Sequence, residues 1–381
     1  MKSNYKQLGQ YIRQVDVRNT EGKEDNLLGV SVQKQFIPSI ANTVGTDFSK
    51  YKVVKKGQFT YIPDTSRRGD KIGIALLEDY EEGLVSNVYT VFEVIDDKAL
   101  IPEYLMLWFS RPEFDRYARF KSHGSVREVM DWDEMCKVEL PVPPYEEQKK
   151  IVDSYKTITE RIALKKQIND NLAKTIDTVF CNLYQSIDNE NAVCFSELCS
   201  LASSKRVFAE DYVSEGIPFY RGKEITQKRN GEPINDPLFI SSSHYELLKK
   251  NYGGPSCGDI LITAVGTIGN SYLVECEDFY FKDGNIIWLK DFRESGINYF
   301  LYDYMQTSIF KRELEGICIG STQTALTIVA LSNLKIKIPD SVALNDYILQ
   351  SKALRSAIQA NNAEILQLSV TAQTILASLG R

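Results

Sequence analysis

Few residues in this chain are spaced for catalysis. Pro63-Asp64 followed by Asp96-Asp97-Lys98 has the order of a site in which carboxylates hold magnesium and a lysine helps activate water. A self-contained nuclease would use Asp64, Asp96 and Lys98. Asp96-Asp97-Lys98, however, stands just after a strand pattern and before Ile101-Pro102, where a solvated turn is the simpler reading. The corresponding stretch of the second half, Lys290-Asp291-Phe292-Arg293, lacks the pattern. Val142-Pro143-Pro144-Tyr145 places a valine where methyl transfer to an amine needs an Asn or Asp oxygen to hold the amino group. Between Gly216 and Gly222-Lys223 there is one residue too many for a nucleotide loop, and Glu224 stands where a magnesium-binding Ser or Thr belongs. Two histidines leave little material for zinc, and seven cysteines without a Cys-x-x-Cys pair suit a reducing compartment.

What remains are basic and polar loop residues: Arg67, Arg68 and Lys71, then Lys205-Arg206, Arg221 with Lys223, and Lys228-Arg229. The net charge of −6 argues against nucleic-acid binding by bulk attraction, but it leaves room for a localised basic face. With 381 residues, 43% hydrophobic and 25% charged, the chain reads as two or three soluble globular domains. It has no apolar run long enough for a membrane span, and the start MKSNYKQLGQ lacks the apolar core of a signal peptide, so a cytoplasmic protein without membrane contact is expected.

The elements that must position these residues occur twice. A heptad seam runs through Ile151, Tyr155, Ile158, Ile162, Lys165, Asn169, Leu172, Ile176, Val179 and Leu183. An offset of 196 residues gives a second seam at Tyr347, Ser351, Leu354, Ile358, Asn361, Ile365, Leu368, Ala372, Ile375 and Leu379. A period this long is a domain duplication rather than a solenoid repeat. Before each helix the same order recurs. An amphipathic opening (YKQLGQYI, FSELCSLA) leads to a strand (GQFTYIP, GDILITAVG) and then to Ile72-Gly73 or Ile268-Gly269. A second strand matches VSNVYTVFEV to KDGNIIWLK with Asn87 facing Asn285 at 198, and a helical segment sets Tyr104, Leu105 and Phe114 on Phe300, Leu301 and Phe310. Gly124-Ser125 and Gly320-Ser321 then lead through a strand to Pro141 or Pro339. Glu146 and Glu147 favour the positive end of the first helix, which runs to about Gln185 and spans roughly 60 Å. Its exposed apolar stripe needs a partner, and its own duplicate, from about Leu344 to Leu379, supplies one; Asn169 would fix the register. Two recognition modules on a helical ruler suit a duplex reader, whose half-sites commonly lie about 34 to 36 Å apart.

The runs LPVPPYEEQKKIV (140–152), IPFYRGKEIT (217–226), GDILITAVGTIGN (258–270) and GSTQTAL (320–326) resemble the specificity subunit of type I restriction-modification systems, over essentially the whole chain. The first copy carries GSVREVM (124–130) in place of GSTQTAL, two residues shorter before its proline. The resemblance implies an α+β fold: two duplicated α/β target-recognition domains, 1–143 and 189–340, separated by two long helices, 144–188 and 341–381, forming an antiparallel coiled coil. It implies a noncatalytic reader of an asymmetric, bipartite double-stranded DNA target. Two modification (methyltransferase) subunits would dock on it, and restriction (motor-nuclease) subunits would join. S-adenosylmethionine, ATP and magnesium would belong to those partners, with no cofactor or metal in this chain. The candidate DNA contacts are Arg67, Arg68, Lys71, Arg127, Arg206, Arg221, Lys223, Thr267, Asn270 and Gln323. A magnesium nuclease and a coiled-coil adaptor binding only proteins stay open as alternatives.

Overall fold

The structure, a computed structural model, describes residues 5–380 apart from 40–44, 65–70, 123–127, 233, 235 and 319–323. The first copy builds an antiparallel sheet in the order Ile12–Val15, Thr90–Val94, Phe59–Tyr61, Ile74–Leu76. Helices α1 (Pro102–Phe109), α2 (Pro112–Lys121) and α3 (Trp132–Cys136) follow, then a strand pair of Tyr5–Gln7 with Glu139–Pro141, then α4 (Tyr145–Ser186). The second copy repeats the plan with α5 (Phe195–Leu198) and a sheet ordered Ser200–Ala202, Ile286–Lys290, Ile260–Thr263, Ser271–Leu273. Helices α6 (Gly222–Arg229) and α7 (Ser242–Tyr252) lie within it; α8 (Ile297–Gln306), α9 (Ser308–Ile317), α10 (Ile328–Asn333) and α11 (Ser341–Ser378) come after.

The duplication keeps a stricter register than the sequence suggests. Strand Thr90–Val94 and Ile286–Lys290, α2 and α9, α3 and α10, and α4 and α11 each begin 196 residues apart. The strands therefore align at 196 rather than at 198 through Asn87 and Asn285. Pro339 matches Pro143, and no residues are missing before the first copy's proline. Pro141 ends a two-stranded pair, a position where a missing N–H is tolerated. The helical segment around residues 104–114 is two helices in both copies. Pro112 starts α2, where its absent N–H costs no bond, and the Thr307 hydroxyl caps α9 by accepting from Phe310 N at 3.2 Å. All six residues matched across this segment are buried.

Strand periodicity of two gives each sheet two working faces. Along Ile260–Thr263, Ile260 and Ile262 join a core with Phe300, Tyr304 and Tyr347, whereas Leu261 joins Tyr220, Phe281 and Trp288 in a separate core. In the first sheet Phe59, Tyr61 and Phe92 pack with Tyr104 and Phe109, while Val91 joins Leu28, Val54 and Val85. Thus one face carries the duplicated helices and the other carries what is inserted between the strands of each sheet, both before Phe59–Tyr61 or Ile260–Thr263 and before Thr90–Val94 or Ile286–Lys290. The insertions differ. The first copy has two strand pairs, Leu28–Val30 with Phe36–Pro38 and Lys52–Lys55 with Glu82–Val85. The second has a four-stranded sheet (Tyr212–Val213, Leu238–Ile240, Ile217–Tyr220, Tyr280–Phe281) with α6 and α7.

Two compact units result, Met1–Lys165 with Ala363–Arg381, and Lys166–Asn362, so each contains a part of both long helices. Every heptad position read from the sequence is buried or half-buried. In the first unit Leu376 and Leu379 join the core beside Ile151 and Tyr155, and Lys165 pairs with Glu364 at 2.8 Å. In the second, Asn169 exchanges bonds of 2.8 Å with Asn361 and Asn362, and the Phe180 ring lies 5.9 Å from Tyr347. Residue numbers rise along α4 as those of its α11 partners fall, so the packing is antiparallel within each unit, and the polar seam residues satisfy one another.

Gln148 fastens the start of α4. Its side chain is fully buried, accepts from Ile101 N at 2.9 Å and donates to Ala99 O and Pro143 O at 2.9 and 2.8 Å. The matching position in α11 is Leu344, also buried. Replacing Gln148 by Ala leaves one N–H and two carbonyls without their partner inside the first unit. We expect a loss of about 2 to 4 kcal/mol, read as a lower denaturant midpoint; an unmoved midpoint refutes the role.

Candidate nucleic-acid interface

The carboxylates of the nuclease pattern do not converge. Asp64 lies three residues beyond Tyr61, which pairs with Thr90, and Asp96 lies two beyond Val94. Because these strands run antiparallel, the two acids sit at opposite ends of the sheet, about 30 Å apart at roughly 3.3 Å per residue. Asp96 Oδ1 accepts from Lys98 N at 3.0 Å, a turn closing on itself. Among the described residues no group of three or more His, Cys, Asp or Glu could hold a metal.

Four candidates of the second copy, Arg221, Lys223, Thr267 and Asn270, gather around α6. Glu224, buried in its first turn, accepts from Arg221 N, Nε and Nη2 at 2.8, 3.2 and 2.7 Å. Burial opposes ionisation of Glu224, but the Arg221 guanidinium and backbone donors outweigh it and hold the carboxyl below its ordinary value. Arg221 therefore spends much of its charge inside the protein. Lys223, next along, is exposed. The turn after strand Ile260–Thr263 packs on the same helix. Asn270 Nδ2 donates to Thr226 Oγ1 at 3.0 Å, Arg229 Nη1 donates to Asn270 Oδ1, and the hydroxyls of Thr226 and Thr267 lie 3.3 Å apart. Buried Thr263 braces the turn, accepting from Asn270 N at 3.0 Å and donating to Thr267 O. Gly269 adopts φ +86°, and a Cβ there would meet Leu314 Cδ1 at 2.6 Å, so a side chain is excluded twice over. Thr267 is left exposed at the tip.

The remaining candidates are spread out. Arg206 is exposed and paired with Asp283 at 2.9 Å, away from α6 in sequence and in its bonding. Lys71 is exposed and leads into Ile72, whose N–H bonds buried Asp115 at 3.2 Å. Arg67, Arg68, Arg127 and Gln323 lie outside the described residues. Two residues that organise the α6 site went unnamed as contacts, Thr226 and Arg229, which also donates from Nε to Gln306 Oε1 at 3.1 Å, and in the first unit Lys34 went unnamed too. Lys34 is buried on Asp115 at 2.9 Å; burial lowers its pKa, partly offset by that carboxylate, and it ties the hairpin of Leu28–Val30 and Phe36–Pro38 to α2. The Lys228-Arg229 pair was visible as charge, but its partners lie dozens of residues away.

Residues 3–174 and 188–367 each match the family model described as the type I restriction modification DNA specificity domain. A Haemophilus influenzae protein assigned as a type I restriction enzyme specificity subunit is 27% identical over 225 residues, 57% of this chain and 55% of that protein. The HindI type I restriction enzyme specificity subunit of that species is 27% identical over 141 residues, 36% of this chain and 30% of its own length. The chain thus spans about half the length of the first of these relatives, and less of the second. The solved S subunit of a type I restriction-modification system from M. genitalium shares the fold, with a TM-score of 0.63 over 99% of this chain and 96% of that one at 14% identity. No helix among the described residues is long and apolar enough to cross a membrane.

The bonds of Asn270 make a direct expectation. Asn270→Ala removes both ties to α6, worth about 1 to 3 kcal/mol locally. Amide exchange should quicken across residues 222–230 while the α8 and α9 amides keep their protection; uniform protection in α6 would show that the turn does not hold it.

Proposed function

Because this chain belongs to the type I restriction modification DNA specificity family, we propose that it is the noncatalytic subunit that reads double-stranded DNA for such a system. Its two target-recognition domains, 1–143 and 189–340, take different half-sites of a bipartite, asymmetric target, and the helical segments set the unread bases between them. Two modification subunits dock on it and restriction subunits complete the assembly. S-adenosylmethionine, ATP and magnesium serve those partners.

One observation carries the reading: each copy keeps the same sheet, the same helices and the same seam, yet the insertions on the opposite sheet faces are built differently. A duplicated frame with unlike insertions is what two different half-sites need. Phosphate contacts from Arg67, Arg68, Lys71, Arg206, Arg221 and Lys223 position the domains, and polar side chains such as Arg127, Thr267, Asn270 and Gln323 approach the bases.

Mapping modified adenines in DNA exposed to the assembled system tests this directly. The expected result is one asymmetric sequence of two parts. Exchanging residues 203–259 for the corresponding insertion of another specificity subunit should change one half and spare the other; a continuous or symmetric site, or modification independent of this chain, defeats the proposal. Within it, Lys223→Ala should weaken binding to all sequences alike and reduce the salt slope by about one. A lysine that reads a base would instead change the preferred sequence.

A further inference from the structure

Of the seven cysteines only Cys257 and Cys276 are exposed, and the register of one hairpin brings them to the same end of it. The hairpin of Ile260–Thr263 and Ser271–Leu273 does this. Ile260 pairs with Leu273, and beyond them Gly258 N donates to Val274 O at 2.9 Å while Val274 N donates to Asp259 O at 2.8 Å. Cys257 comes one residue before Gly258 and Cys276 two after Val274, so the same register carries both to opposite sides of the open end of the hairpin. Facing residues of antiparallel strands have Cα atoms roughly 4.5 to 5.5 Å apart, inside the span a disulfide bridges. The other five thiols are buried or half-buried.

We propose that Cys257 and Cys276 form a reversible oxidation site, a dithiol that closes into an intramolecular disulfide with a small-molecule disulfide as oxidant. One thiolate attacks the oxidant and releases a small thiol; the second thiolate then displaces the other small thiol from the mixed disulfide. Two protein S–H bonds are lost, one S–S bond forms, the oxidant's S–S bond breaks, and its two halves leave as thiols carrying the protons. The neighbouring Cys276 thiol, burial and the flanking Glu275 and Asp259 hold the Cys257 thiol above its ordinary value. Thiolate is therefore scarce at neutral pH, and exchange quickens as pH rises.

The new ring would run from 257 to 276 with the 267–270 turn at its far end. Glu277 and Asp278, just outside it, pair with Lys228 of α6 and Lys249 of α7. Oxidation thus fastens the loop that holds both insertion helices to the base of the hairpin.

The full chain, incubated with oxidised glutathione at neutral and mildly alkaline pH and mapped by mass spectrometry without reduction, decides the matter. We expect one intramolecular disulfide joining Cys257 to Cys276 before any other cysteine reacts, faster at the higher pH and undone by dithiothreitol. Cys257→Ser should leave Cys276 as a stable mixed disulfide with glutathione. Disulfide-linked dimers, persistent mixed disulfides on the unaltered chain, or earlier reaction at one of the other five cysteines overturn the proposal.

Discussion

Each unit completes its core with a part of both long helices, packed antiparallel and locked in register, and this constraint governs the rest of the structure. In the first unit Leu376 and Leu379 fill space beside Ile151 and Tyr155, and the Tyr5 hydroxyl donates to Gly380 O at 3.0 Å. In the second, Phe180 and Tyr184 of α4 pack on Phe300, Tyr304 and Tyr347. Apolar burial drives both contacts, but burial alone would accept a helix slid along by a heptad. The polar seam pairs would not. Sliding would break the amide bonds of Asn169 in one unit and part Lys165 from Glu364 in the other, leaving polar groups half-buried and unpaired.

With the helical face so committed, sequence freedom moves to the other face of each sheet. The strand Ile260–Thr263 has no exposed residue, because its alternate side chains serve two cores. Helix α6 is held there by one apolar anchor, Ile225, fully buried in the core of Leu261, and by the bonds of Thr226 and Arg229 to Asn270 in the turn that follows the strand. Such bonds are directional, so they set the orientation of a short helix that has little apolar surface of its own. The first copy solves the same problem with hairpins and the buried Lys34–Asp115 pair.

The scaffold was legible in the sequence because its signals are local and periodic. Seam positions chosen only by three-and-four spacing are all shielded, and the strands at 57–63, 85–94, 258–266 and 282–290 are present. Small slips, such as matching Asn87 to Asn285, arose where a turn offered two alignments and only sheet pairing could choose. The insertions were not legible. The sheet of the second insertion joins Ile217–Tyr220 to Tyr280–Phe281 in parallel, a pairing across some sixty residues that no spacing announces. Basic residues looked alike as composition, yet Arg221 and Arg206 are engaged by Glu224 and Asp283 while Lys223 points its charge outward from an exposed position. Gln148 gave no sign at all; an isolated polar residue in a first helical turn is ordinarily solvated.

The discontinuous make-up of the first unit has a consequence for how the protein is made. A ribosome delivers residues 1–165 early, but the segment 363–381 that finishes their core emerges only after the whole second unit. The second unit, contiguous from Lys166 to Asn362, can close while the first still waits with apolar surface uncovered. Vectorial synthesis therefore reverses the order of maturation of the two units relative to the order of their translation, and the interval before residues 363–381 arrive is when chaperones have most to shield.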